Sequence, residues 1–129
     1  VRKNENRHPY GRPLPAVLAE IAEAVGEAGG LEAALKLSEK RGATLLEIAR
    51  DGELLPSIVG TEAAARIVDR LGVGARIYVP LADYHLFRWL HAQGVGRAEI
   101  ARRLRIPIRT QQRWLAAPDD REQLSLKLL

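Results

Sequence analysis

The sequence predicts a mainly α-helical chain. A helical dimerisation unit with a short β-strand is followed by a three-helix helix-turn-helix domain. Three observations predict this. Apolar residues recur at three- and four-residue spacing in several segments bounded by glycine or proline. A thirteen-residue motif that begins and ends with glycine occurs twice, thirty residues apart. Residues Gly96 to Leu115 hold two short apolar stripes around an Ile106-Pro107 turn, with six arginines and a single acid, Glu99.

Residues 1–13 read as a flexible basic arm, because Asn, Pro, Gly and charged residues outnumber core formers there. The first helix is expected from Pro15 to Ala28. Proline suits the first turn, Val17, Ile21 and Val25 repeat at four-residue spacing, and Gly29-Gly30 is the expected stop. The repeat follows. Gly30 to Gly42 and Gly60 to Gly72 match at five of thirteen positions, with Lys36/Arg66, Leu37/Ile67, Glu39/Asp69 and Lys40/Arg70 as conservative pairs. Each copy reads as a helix followed by an extended segment, Ala43–Ile48 in the first and Arg76–Val79 in the second. Ala64, Ile67, Val68 and Leu71 form a full apolar stripe, whereas the matching positions of the first copy are Ala34, Leu37, Ser38 and Arg41. The second-copy helix is therefore expected to bury more surface. In Arg76–Val79, alternation turns Ile77 and Val79 inward and Arg76 and Tyr78 outward. The outward pair suits either a solvated sheet edge or entry into a minor groove.

A further helix is expected over Asp83–Gln93, with Leu86, Phe87 and Leu90 inward and Gly94 as its stop. Ile100, Ala101 and Leu104 stripe the next helix, and Trp114 and Leu115 are expected to anchor the one after. The organisation is thus an arm at 1–13, a dimerisation unit at 14–80, a helix-turn-helix domain at 81–117 and a tail at 118–129. The tail carries four leucines after an acidic start and reads as a short helix or as disorder. Ala, Leu and Val on three short helices make a thin core for a unit of this size. Burial against a second copy, a homodimer, is the expected remedy.

Composition narrows the function classes. The chain has no cysteine, so it has neither a disulfide framework nor a thiolate zinc site. With no signal-peptide core or apolar span in the sequence, a cytoplasmic protein with no membrane partner is expected. His8, His85 and His91 show no ligand spacing, so no metal and no cofactor is expected. No serine lies in a nucleophile motif and no acids pair as general acid and base, so catalysis is not expected. The net charge of +4 is unevenly placed. Residues 81–129 hold nine Lys/Arg and five Asp/Glu, while residues 13–80 hold seven and ten. Local positive charge of this kind is what phosphate neutralisation needs.

The chemistry of the Gly96–Leu115 segment points to double-stranded DNA. Two helices joined by a tight turn, the second rich in groove-reading side chains, is a DNA-docking geometry. Arg109 and Arg113 can each donate two bonds to guanine, Gln112 can pair with adenine, and Thr110 or Ile108 can pack on a thymine methyl. Arg97, Arg102, Arg103 and Arg105 suit phosphate, which sets position and affinity. Three other readings stay open: an adaptor or structural protein of a mobile element, a repressor, and an RNA-binding module with the same basic face.

The segment Leu55 to Pro80, followed by the helix-turn-helix, resembles the Mor/C family of phage transcription activators. The residues that carry the likeness are the Glu62-Ala63-Ala64 helix, the Gly72-Val-Gly-Ala-Arg-Ile-Tyr-Val-Pro80 run and the downstream pair of helices, in that order; it spans about residues 14–116. The resemblance implies a dimeric activator with two recognition helices in major grooves and paired strands at the intervening minor groove. Arg76 and Tyr78 match the contacting positions, and RNA polymerase is the implied protein partner. The chain departs from the family pattern at Arg105, where glycine is usual, and at Gln111, where Val or Ile is usual. Gln111 is expected on the inner face, where a polar group needs a partner.

Overall fold

A computed structural model describes residues 9–116 of the chain. Among them are seven α-helices and one two-stranded antiparallel sheet, so the protein is mainly helical. The elements are α1 (Ala16–Val25), α2 (Gly30–Arg41), β1 (Thr44–Glu47), α3 (Leu54–Val59), α4 (Thr61–Leu71), β2 (Arg76–Val79), α5 (Asp83–Ala92), α6 (Arg97–Leu104) and α7 (Ile108–Ala116). Among the described residues, no helix is long and apolar enough to cross a membrane.

The larger apolar cluster belongs to α1–β2. Leu18, Ile21, Leu35, Leu37, Ile48, Ile67 and Val79 are fully enclosed in it, and Leu86 of α5 closes one side. The smaller cluster is Phe87, Leu90, Ile100 and Ile106, with Trp114 packed against it. Trp89 and Leu104 pack against both clusters and so join the two lobes.

α1 is shorter than its sequence suggests. It ends at Gly26, which takes φ +102°, and Gly29-Gly30 opens α2 instead of stopping α1. The start of α2 lies close on α1: a Cβ on Gly30 would come within 2.4 Å of the Ala22 carbonyl oxygen. The two extended segments pair with one another, with Leu45 opposite Tyr78 and Glu47 opposite Arg76. Val79 is buried and Ile77 half-buried, while Arg76, Tyr78, Leu45 and Glu47 line the exposed face.

Three further features depart from expectation. The first-copy helix, α2, buries Ala33, Ala34, Leu35, Leu37 and Ser38, whereas α4 buries only Ala64 and Ile67. The expected ranking is reversed because α2 lies against α1, α3, both strands and α5, while α4 lies on α1 and α3. α3 was not expected, since six residues that include Pro56 carry too short a period to read. Finally, residues 9–13 of the expected arm lie on α5. Tyr84 donates its hydroxyl to the Tyr10 carbonyl at 3.1 Å, and the Arg12 guanidinium sits 3.9 Å over the Tyr84 ring. Residues 1–8 and the expected tail lie outside the described residues.

Candidate nucleic-acid interface

α6 follows Gly96 and turns Ile100 fully into the smaller core, where it meets Phe87 and Leu90 of α5. The helix ends at Arg105, which adopts a left-handed conformation (φ +58°, ψ 36°). That backbone is one glycine enters freely and other residues enter at a cost of about 1–2 kcal/mol. Ile106 drops into the core, and Pro107 accepts the Gln111 amide at 3.1 Å as α7 begins.

α7 is held by two side chains. Gln111 is fully enclosed, and its Nε2 donates to the Arg97 and Ile106 carbonyls, both at 3.1 Å. The polar residue on the inner face therefore bonds backbone acceptors of α6 and of the turn. Its Oε1 has no partner among the described residues. Trp114 meets Tyr84 edge-on at 5.5 Å and Phe87 at 5.6 Å. Aromatic contacts of this geometry add roughly 0.5–1.5 kcal/mol to the area they bury. Leu115, expected as an anchor, is 41% exposed. With Gln111 and Trp114 centred inward, the helical repeat swings Leu115 to the flank.

The remaining side chains of α7 divide accordingly. Arg109, Gln112 and Arg113 are exposed, Ile108 is 42% exposed and Thr110 is half-buried. Arg97, Arg105, Arg109 and Arg113 have no ion-pair partner among the described residues. The other two arginines of the segment do have partners. Arg102 pairs with Glu99 one turn earlier on α6. Arg103 makes a two-pronged pair with Glu39 of α2, with Nη2 2.9 and 3.1 Å from the two carboxylate oxygens. Arg103 was expected at phosphate; a carboxylate sixty-four positions away takes its donors instead. Arg76 lies 3.6 Å from Glu47 on the exposed sheet face, beside Tyr78. Those two residues belong to the sheet and not to the α6–α7 unit.

The sequence pattern marks Ser38 and Glu39 only as repeat positions and gives no role to Tyr84. Tyr84 links the Tyr10–Arg12 segment to Trp114. His85 is buried, with Nε2 3.0 Å from the Arg12 carbonyl; burial pushes its pKa below the usual histidine value. His91 stacks on Phe87 at 5.7 Å. Burial also raises the Asp83 carboxyl above its ordinary range. Among the described residues, no group of three His, Cys, Asp or Glu side chains is placed to hold a metal ion.

No family model, curated protein or solved structure matches the chain.

Proposed function

We propose that this protein is a sequence-specific, dimeric regulator of transcription that reads double-stranded DNA with α7 and acts as an activator. The observation that carries the reading is the two-sidedness of α7. Its inner face is locked by Gln111 and Trp114, while Arg109, Gln112 and Arg113 stand outward on a fixed helix. Locked placement matters because base readout needs donors held in one geometry. Arg97 and Arg105 supply nearby positive charge for phosphates, which fixes register.

Self-association has separate support. Leu45 and Tyr78 stand directly opposite one another on the sheet at 68% and 56% exposure. Clustered apolar exposure marks an interaction surface. The direction of regulation and the engagement of RNA polymerase rest on the likeness to the Mor/C activators.

Selection of bound duplexes from a random pool, followed by footprinting, tests the reading. Two half-sites one helical turn apart, or a multiple of that, are expected. Arg109→Ala and Arg113→Ala should each lose roughly 1–3 kcal/mol at the selected site and relax base preference. Arg97→Ala, at a guanidinium with no ion-pair partner among the described residues, should weaken binding to all duplexes alike and lower the salt slope by about one. Parental affinity in all three variants, or a preference for structured RNA over duplex, removes the assignment.

A further inference from the structure

Ser38 is a polar residue on α2. It is fully buried, and Val68 stands at the matching position of the repeat. Its hydroxyl donates to the Pro80 carbonyl at 2.9 Å and accepts from the Ala82 amide at 3.0 Å. Pro80 and Ala82 are part of the connection between β2 and α5, so one side chain holds both a backbone donor and a backbone acceptor of the segment that joins the lobes. The next residue of α2, Glu39, grips Arg103 on α6 through three contacts of 2.9–3.2 Å. The Glu39 side chain is only 16% exposed. Consecutive residues of one helix thus hold the connection and the body of the C-terminal lobe.

A hinge needs connecting backbone groups that can change partners. Here Ser38 and the Ala82 amide are buried and Pro80 is half-buried, so a lost bond to Ala82 leaves a buried donor unsatisfied. A two-pronged guanidinium–carboxylate pair fixes orientation as well as distance. Trp89 and Leu104, wedged between the two apolar clusters, close the same seam.

We infer that Ser38, Glu39 and Arg103 are positioning residues that clamp the lobes into one body, fix the bearing of α7, and so set the half-site spacing that the dimer accepts. The inference rests on the DNA-binding reading above. It gives Arg103 a role different from that of the unpaired Arg97, Arg105, Arg109 and Arg113: its charge is spent on Glu39 and not on phosphate.

The test has an arm that needs no DNA. The chain has no cysteine, so Ala65→Cys on α4 and Ala98→Cys on α6, both exposed, accept a pair of spin labels in the full-length protein. Dilution into unlabelled chain isolates the distance within one protomer. The otherwise parental chain should give one narrow distance distribution. Glu39→Gln and Ser38→Ala should each broaden it, and Glu39→Arg combined with Arg103→Glu should narrow it again. Unchanged distributions in Glu39→Gln and Ser38→Ala would overturn the clamp.

The second arm is a duplex series in which half-site separation changes by one base pair at a time. The parent should prefer one separation by about tenfold. Glu39→Gln should flatten that preference and leave the salt slope unchanged. If Glu39→Gln instead binds tighter at every separation with a slope steeper by about one, Arg103 is a phosphate contact and the inference is wrong. A parent that binds no duplex defeats the DNA reading and the spacing claim together, while the spin-label distances still decide the clamp.

Discussion

α2 and α4 carry the same motif and live in different surroundings. Leu35 of α2 is fully enclosed, and the matching Ala65 of α4 is exposed. Ser38 is enclosed and bonds the connection between lobes, while Val68 is half-buried. Even the shared opening glycine answers two demands. At Gly30 the demand is volume, because the Ala22 carbonyl lies where a Cβ would go. At Gly60 it is backbone freedom: φ is +94° and ψ 159°, and nothing lies within 4 Å of a Cβ there. The contrast teaches that a periodic motif specifies a helix without specifying its depth. Depth comes from how many neighbours the topology brings to it.

Substitutions at matched positions can break or sharpen this contrast. The largest expected effect is at Leu35, where Leu35→Ala should cost roughly 2–5 kcal/mol. Ala65→Ser at the matched site should stay within about 0.5 kcal/mol. Denaturant melts of both variants measure this, and equal losses would dissolve the contrast. Next come the glycines. Gly30→Ala should lose about 1–3 kcal/mol by prising α2 from α1, and amide chemical shifts should move along α1 around Ala22. Gly60→Ala should lose a similar amount, about 1–3 kcal/mol, through backbone strain, with shifts confined to the α3–α4 junction. Spreading shifts in both variants would mean that the two glycines serve one purpose. A gain is expected at Arg105, which meets the backbone demand of a glycine without being one. Arg105→Gly should raise stability by up to about 1 kcal/mol, read as a higher midpoint in the same melts.

Much of the helical framework is legible in the sequence because its causes are local. Apolar spacing marks α1, α2, α4 and α5, and the Arg76–Val79 run between glycines and Pro80 marks β2. Depth, pairing and clamping are not local. Nothing near Glu39 announces Arg103, and nothing near Pro9 to Arg12 announces Tyr84. A basic residue on α6 reads as a phosphate ligand until a distant acid is placed beside it. The site divides the same way. The outward set Arg109, Gln112 and Arg113 follows from helical phase. The exposure of Leu115 and the half-burial of Thr110 follow from how Gln111 and Trp114 seat α7, which depends on carbonyls and rings contributed by other elements.

The Tyr10–Arg12 segment has a consequence for biosynthesis. Its bonds to Tyr84 and His85 span 74 and 73 residues. At a ribosomal pace of roughly 5–20 residues per second, those first residues wait about 4–15 s for their partners to emerge. The opening stretch of the described chain is therefore fastened only when α5 arrives. A nascent chain stalled before that point leaves the Tyr10 and Arg12 carbonyls and the Arg12 guanidinium without the Tyr84 and His85 partners that hold them in the finished fold.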